Sequence, residues 1–231
     1  MTRRLDEEER TMEKRTIRVT GKGKISVKPD TTRLTITLNG ISKEYADTLS
    51  RSSRDTEALK DLMSAFGFER SDLKTLRFDV NTEYETYKYK GEYKQRFAGY
   101  RYNHVLKLQF DSDNDRLGMI VYSLAHCDLN PDFQISYTVK DPEAAKNTLL
   151  GKAVEDAKAK AKVLAKTSGV TLKEILRIDY SWGEQDLEVR PAQGLMMAKS
   201  MADGTLGRYN LDIEPEDIVV TDTVTVVWEI G

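Results

Sequence analysis

Asp141–Val170, DPEAAKNTLLGKAVEDAKAKAKVLAKTSGV, is the stretch whose reading decides the fold. Asp141 is a good N-cap, Pro142 suits the first helical position, and Glu143 favours the positive end of the helix dipole. Leu150, Ala153, Val154, Ala157, Ala161, Leu164 and Ala165 recur three and four residues apart, so they share one face of a helix. Lys152, Lys158, Lys160, Lys162 and Lys166 fall mostly on the rest of the cylinder, and Gly169 follows as a left-handed C-cap. A stripe so rich in alanine lets a helix approach its partner closely. That partner is expected to be a sheet, because most of the remaining chain alternates with period two.

Working outward, residues 1–15 are nearly all charged or polar and read as a frayed tail. A first strand, about Thr16 to Val27, carries Ile17, Val19, Ile25 and Val27, with Gly21 and Gly23 suggesting a bulge or a close backbone contact. Lys28-Pro29-Asp30 reads as a turn into a second strand through Leu34, Ile36 and Leu38, so the two strands are expected to form a hairpin. A helix from about Lys43 to Phe66 places Tyr45, Leu49, Ser52, Thr56, Leu59, Met63 and Phe66 on one face, and Gly67 ends it. Strands follow at Asp72 to about Tyr84 (Leu76, Phe78, Val80, Tyr84) and from Gly99 (Tyr100, Tyr102, His104, Leu106, Leu108, Phe110), forming a long hairpin with one buried face.

Asp111 to Asp115 then caps a shorter helix with Leu117, Ile120, Val121 and Leu124 as its stripe. Asn130-Pro131 opens a strand with Phe133, Ile135, Tyr137 and Val139, which leads to Asp141. Beyond Gly169, Leu172 to Trp182 is a strand with Leu176, Ile178, Tyr180 and Trp182 in alternation. The last strand carries Ile218, Val220, Val224, Val226, Trp228 and Ile230. Residues 183–215 between them have no clear period and read as a long loop. The expected class is α+β, with mostly antiparallel sheets, helices packed on one side and the order ββαββ-αβαββ. Two intimate sub-lobes are expected at about 16–111 and 112–231.

Within 231 residues, hydrophobic content of 39% is low and charged content of 32% is high, so the core must be economical and the surface polar. A net charge of −2 gives no general attraction to nucleic acid or anionic membrane. The single cysteine, Cys127, excludes an internal disulfide framework. The N-terminal residues lack the apolar stretch of a secretory signal, and no run is long enough to span a bilayer, so a cytoplasmic location is expected.

Five segments carry a family resemblance: Ile17-Arg-Val-Thr-Gly-Lys-Gly-Lys-Ile-Ser-Val-Lys-Pro-Asp30; Gly99-Tyr-Arg-Tyr-Asn103 with the Val105–Phe110 strand; Asp115-Arg-Leu-Gly118; Asp141-Pro142 with Ala153 to Ala157, Lys160-Ala161, Leu164-Ala165 and Gly169-Val170; and Ile213-Glu-Pro215. Together, over residues 16 to 230, they resemble the SIMPL-domain family, which includes bacterial periplasmic immunogenic proteins. The resemblance implies an α+β fold and a tendency to form large ring-like or channel-like homo-oligomers. It implies no established enzyme activity, no cofactor and no catalytic residue to carry over. Many relatives are exported, whereas this chain begins with a charged tail.

No motif carries strong chemistry. Asp111-Ser-Asp-Asn-Asp115 resembles the start of a calcium loop, but Arg116 and Tyr122 stand where that loop needs glycine and glutamate, so a helix cap is the better reading. Gly21-Lys-Gly-Lys24 lies inside a strand and lacks the spacing of a phosphate loop, leaving a bulge as the plain reading. His104 reads as a satisfied histidine at the sheet's edge. His126 complements a helix C-terminus, and its neighbour Cys127 cannot face it as a dyad. No catalytic, cofactor or metal residue is therefore assigned.

The most suggestive surface is Tyr84 to Phe97, where Tyr84, Tyr87, Tyr89, Tyr93, Arg96 and Phe97 have the composition of a protein interface. Within the 183–215 loop, Met196, Met197 and Met201 form an adaptable cluster that is a further candidate contact surface. The expected role is non-enzymatic self-assembly, with a protein as partner. A small-ligand or stress-related binding protein with a pocket between helices and sheet is the alternative. Single-strand nucleic-acid binding through residues 84–102 is disfavoured by the interspersed Glu83, Glu85 and Glu92.

Overall fold

A computed structural model of the chain describes residues 15–180, 187–190 and 213–231. The charged tail over 1–14, Trp182, the methionine cluster at 195–202 and most of the 183–215 loop lie outside the described residues. The element order is β1 (Thr16–Val27), β2 (Thr31–Ser42), α1 (Tyr45–Ser64), β3 (Lys74–Tyr89), β4 (Glu92–Asp111), α2 (Asn114–His126), β5 (Asp132–Thr138), α3 (Pro142–Thr167), β6 (Leu172–Asp179), β7 (Glu188–Val189) and β8 (Ile218–Ile230). The α+β class and the order of elements are those expected, with β7 added inside the long connection. All strand pairings are antiparallel.

The elements divide into two compact units. One holds β1, α3, β6 and β8, and the other holds β2, α1, β3, β4, α2, β5 and β7. They interleave in sequence, with crossings after Val27, Lys140, Leu187 and Asp217, instead of following one another as lobes 16–111 and 112–231.

In the first unit the sheet order is β1-β8-β6. The expected β1–β2 hairpin does not form, because β1 pairs through all 12 of its residues with β8. The whole of β1 is thereby committed to a strand some two hundred positions away, and Lys28-Pro29-Asp30 becomes the passage between units. α3 begins and ends as read. Asp141 accepts the Ala144 N–H at 2.9 Å, and Gly169 closes the helix at φ +69°. Leu149, Ala153, Ala157, Ala161 and Ala165 are buried against the sheet, whereas Leu164 is nearly half exposed.

Gly21 and Gly23 meet this alanine face. A Cβ on Gly21 would lie 2.0 Å from the Ala153 carbonyl oxygen, and one on Gly23 would lie 2.3 Å from that of Leu149. The β1–β8 ladder runs without a register shift, so the glycines serve close approach and not a bulge. The helix also covers β1's free edge. Asp156 accepts the Lys22 N–H at 2.7 Å and Lys160 reaches the Thr20 carbonyl at 3.4 Å. The Lys160 ammonium and the Lys22 amide hold the Asp156 carboxyl below its ordinary range.

The second unit has sheet order β3-β4-β2-β5-β7 with β2 at its centre. Leu34, Ile36 and Leu38 of β2, with Leu106 and Leu108 of β4, pack into one core with Leu59 and Met63 of α1 and Leu117, Ile120, Val121 and Leu124 of α2. Both helices therefore cover the same face. Asp113 caps α2 by accepting the Arg116 N–H at 3.0 Å, as read from the sequence. Arg116 then reaches back to the Phe66 carbonyl at 2.8 Å and stacks on the Phe68 ring, tying the end of α1 to the start of α2. Tyr102 donates its buried hydroxyl to Asp55, which holds α1 against β4, and burial and this bond raise the phenol above its ordinary value. At the far edge, Glu188 of β7 pairs with Arg33 and Arg190.

Candidate functional site

The β3–β4 hairpin is the longest element pair in the chain, and it outgrows the sheet that carries it. β2 pairs with β4 only from Tyr100 to Asp111, so among the described residues Tyr84–Tyr89 and Glu92–Phe97 pair with each other alone. The turn at Lys90 and Gly91 has φ values of +52° and +89°, the two left-handed residues of a tight type I′ connection. A two-stranded ribbon buries little of either face and is marginal by itself.

Each face of the ribbon is decorated differently. On one, Tyr84 stands beside Phe97 at 6.1 Å between ring centroids. The row continues inward through Phe97–Tyr100 at 5.2 Å and Tyr100–Tyr45 at 5.5 Å, all edge-to-face. On the other, Lys94 sits 5.1 Å from the centre of the Tyr89 ring and Arg96 sits 5.4 Å from that of Tyr87. Arg96 also binds Glu85 at 2.5 Å. Tyr84, Tyr87, Tyr89, Tyr93 and Phe97 are all exposed, Tyr93 at 77%. The structure thus gathers Tyr84, Tyr87, Tyr89, Tyr93, Arg96 and Phe97 onto one arm. Met196, Met197 and Met201 lie outside the described residues.

At the root of the arm, β3 is the outermost strand of its sheet. No described group outside β4 and the strand itself bonds to its backbone. Phe78, Val80 and Thr82 point to the helix-covered face, opposite His104, Tyr102 and Tyr100, yet α1 lies over β2 and β4 and leaves Phe78 45% exposed. Leu76, expected on this face, falls instead at a bulge between Thr75 and Arg77 and is 54% exposed. A second apolar strip lies on β6 of the other unit, where Ile178 is 52% exposed beside Ile175 and Leu176. Sequence reasoning missed both strips, because alternation marks the apolar face of a strand without saying whether a helix reaches it.

The residues with latent chemistry are placed structurally. His104 lies inside the sheet on β4, not at its edge. Thr56 Oγ1 donates its proton to the Ser52 carbonyl, so it accepts from His104 Nδ1–H at 3.0 Å. Nε2 then accepts from Thr75 Oγ1 at 2.8 Å. Both ring nitrogens are used in one neutral tautomer. Burial, with the Lys60 ammonium, pushes the imidazole below its ordinary value.

The unfolded chain accordingly takes a proton at about pH 6.5 while the folded one resists it. This contribution is complete above that pH and is lost as pH falls through the folded value, with a slope of at most ~1.4 kcal/mol per pH unit. Thermal unfolding between pH 7.5 and 5.5 is expected to show the stability gap between wild type and His104→Gln narrowing toward acid. A gap of constant size would refute this role for His104.

His126 Nδ1–H donates to the Tyr122 carbonyl at 2.8 Å, and Cys127 bonds to that of Leu124 at 3.2 Å, so each is engaged with its own helix. Asp111 pairs with Lys140 at 3.0 Å, while Asp113 is the cap of α2. Among the described residues no group of three or more histidine, cysteine or acidic side chains converges on a point, and no helix is long and apolar enough to cross a membrane.

A family model described as SIMPL, protein of unknown function (DUF541), matches residues 17–228. No curated protein matches the chain.

Proposed function

This chain belongs to the SIMPL family, and from that premise we propose that it works by self-assembly, without chemistry of its own, forming a homo-oligomer through the β3–β4 arm. One observation carries the reading: among the described residues the arm extends past its sheet with five aromatic side chains exposed and only its own two strands paired. Tyrosine, phenylalanine and arginine are the side chains that dominate protein interfaces. A ribbon that buries so little of them gains most by docking. Ring or channel closure requires successive copies to meet through unlike surfaces related by a rotation that closes; any other rotation gives an open filament.

Light scattering of the purified chain tests this. The expected mass is a multiple of 26.3 kDa. Tyr89→Ser combined with Tyr93→Ser is expected to weaken association about tenfold or more, since interface tyrosines each contribute roughly 1–2 kcal/mol. A monomer at high concentration would sink the reading.

A further inference from the structure

We infer that β3 pairs antiparallel with β3 of a second copy of this chain, about a two-fold axis at Val80, so that two five-stranded sheets become one. The inference rests on the self-assembly reading and specifies one of its contacts.

The edges of the two sheets are treated differently by the fold. β1 has its outer edge engaged by Asp156 and Lys160 of α3, β6 is broken by register shifts at Leu172/Ile175 and Ile175/Arg177, and β7 is only two residues long. β3 is 16 residues long and has β4 on one side alone among the described residues. A long unpaired edge is a template for another strand unless charge, bulge or cover blunts it. Here two bulges, at Thr75/Arg77 and Glu83/Tyr84, confine the regular edge to Arg77–Glu83.

That window is complementary to itself in one register. Directly opposed residues of an antiparallel pair share a face, so a two-fold axis must pass a residue of the window. With the axis at Val80, Arg77 stands opposite Glu83 of the second copy, Phe78 opposite Thr82, Asp79 opposite Asn81, and Val80 opposite Val80. An axis at Asp79 would oppose two aspartates, and one at Asn81 would oppose Asp79 to Glu83. Axes at Phe78 or Thr82 would draw a bulge into the ladder. Only the Val80 register pairs opposite charges, avoids like charges and leaves both bulges outside.

The side chains already present suit that register. On the face away from α1, Arg77 binds Asp79 at 2.7 Å, Asn81 binds the same carboxylate at 2.7 Å, and Arg101 binds Glu83 at 3.1 Å. Placing Arg77 against Glu83 of the second copy joins these into one alternating row of charge. On the other face Phe78 and Val80 of each copy extend the apolar core over the strip that α1 leaves open. Leu76 and Tyr84, exposed at 54% and 57%, flank the window where a second copy brings them side by side.

Cysteine cross-linking reads the register. In a Cys127→Ser background, Val80→Cys is expected to form a disulfide-linked dimer under mild oxidation. Opposed Cα atoms in such pairs lie about 4.5–5.5 Å apart, within disulfide reach. Asn81→Cys, one residue along and on the other face, is expected to stay unlinked.

Charge reversal gives a second measurement at exposed positions. Arg77→Glu and Glu83→Arg each place like charges across the axis and are expected to weaken association at least tenfold. Mixing the two variants in equal amounts restores opposite charges in the mixed pair and is expected to recover it. A chain that assembles but links at position 81 instead of 80, or ignores both reversals, overturns the Val80 pairing and leaves self-assembly standing. A chain that is monomeric throughout overturns both.

Discussion

Gly21→Ala is expected to cost ~3 kcal/mol or more, a fall of roughly 10 °C in melting temperature for a chain of this length. The added methyl would lie 2.0 Å from the Ala153 carbonyl oxygen and 2.4 Å from the Ala157 nitrogen. Both are backbone atoms of α3, so no side chain can rotate away. Either the helix lifts off the sheet, uncovering Val19, Val224, Val226 and Trp228, or β1 shifts out of register with β8. Lifting would also break the Asp156 contact with the Lys22 amide.

The matched control is the same chemical change at Gly151 on α3, where a Cβ meets nothing within 4 Å. Gly151→Ala is expected to stabilise by up to ~1 kcal/mol through helix propensity alone. Thermal unfolding of the pair checks this. Equal melting temperatures for Gly21→Ala and wild type would mean that α3 does not rest on the β1 backbone.

Ile36→Ala should strike the other unit with comparable force. Ile36 is fully buried at the centre of the five-stranded sheet, paired with Leu106 on β4 and Phe133 on β5. Truncation leaves a cavity that neighbours on two strands and the overlying helices cannot close together, at a cost of about 2–5 kcal/mol. Thr35→Ala, one residue earlier and partly exposed on the opposite face, is expected to cost less than ~1 kcal/mol. Urea unfolding measures both. Similar losses at 35 and 36 would contradict the observed pleat of β2. Hydrogen exchange adds location, with β2 and β5 amides losing protection in Ile36→Ala and β1 and β8 amides in Gly21→Ala.

The candidate site was legible in part. The run from Tyr84 to Phe97 declares its composition, and six candidate residues fall on one exposed arm. What composition could not tell is that β2 stops pairing at Tyr100, which is why the arm stands alone. The edge row Arg77, Asp79, Asn81 and Glu83 was equally visible as letters. Its meaning depends on β3 being outermost, and that is a property of sheet order.

The same division runs through the fold. Sequence by itself determined element type and phase: Asp141, Pro142 and Gly169 bound α3, the alanines mark its buried face, and alternating Leu34, Ile36 and Leu38 mark the inner side of β2. These are local matters of backbone period and capping, set by residues within a few positions of each other. Tertiary structure decided the partners. Lys28-Pro29-Asp30 looks like a hairpin turn, yet β1 joins β8 and β2 joins β4 and β5. Neighbours in sequence lose that competition when a distant strand offers a full-length ladder beneath the same helix. Gly21 and Gly23 fit this outcome, since they have no side chain to hold off the Leu149–Ala157 stretch of α3. Pairing energy depends on register and on the layer packed above it, and neither is written in any single stretch of the chain.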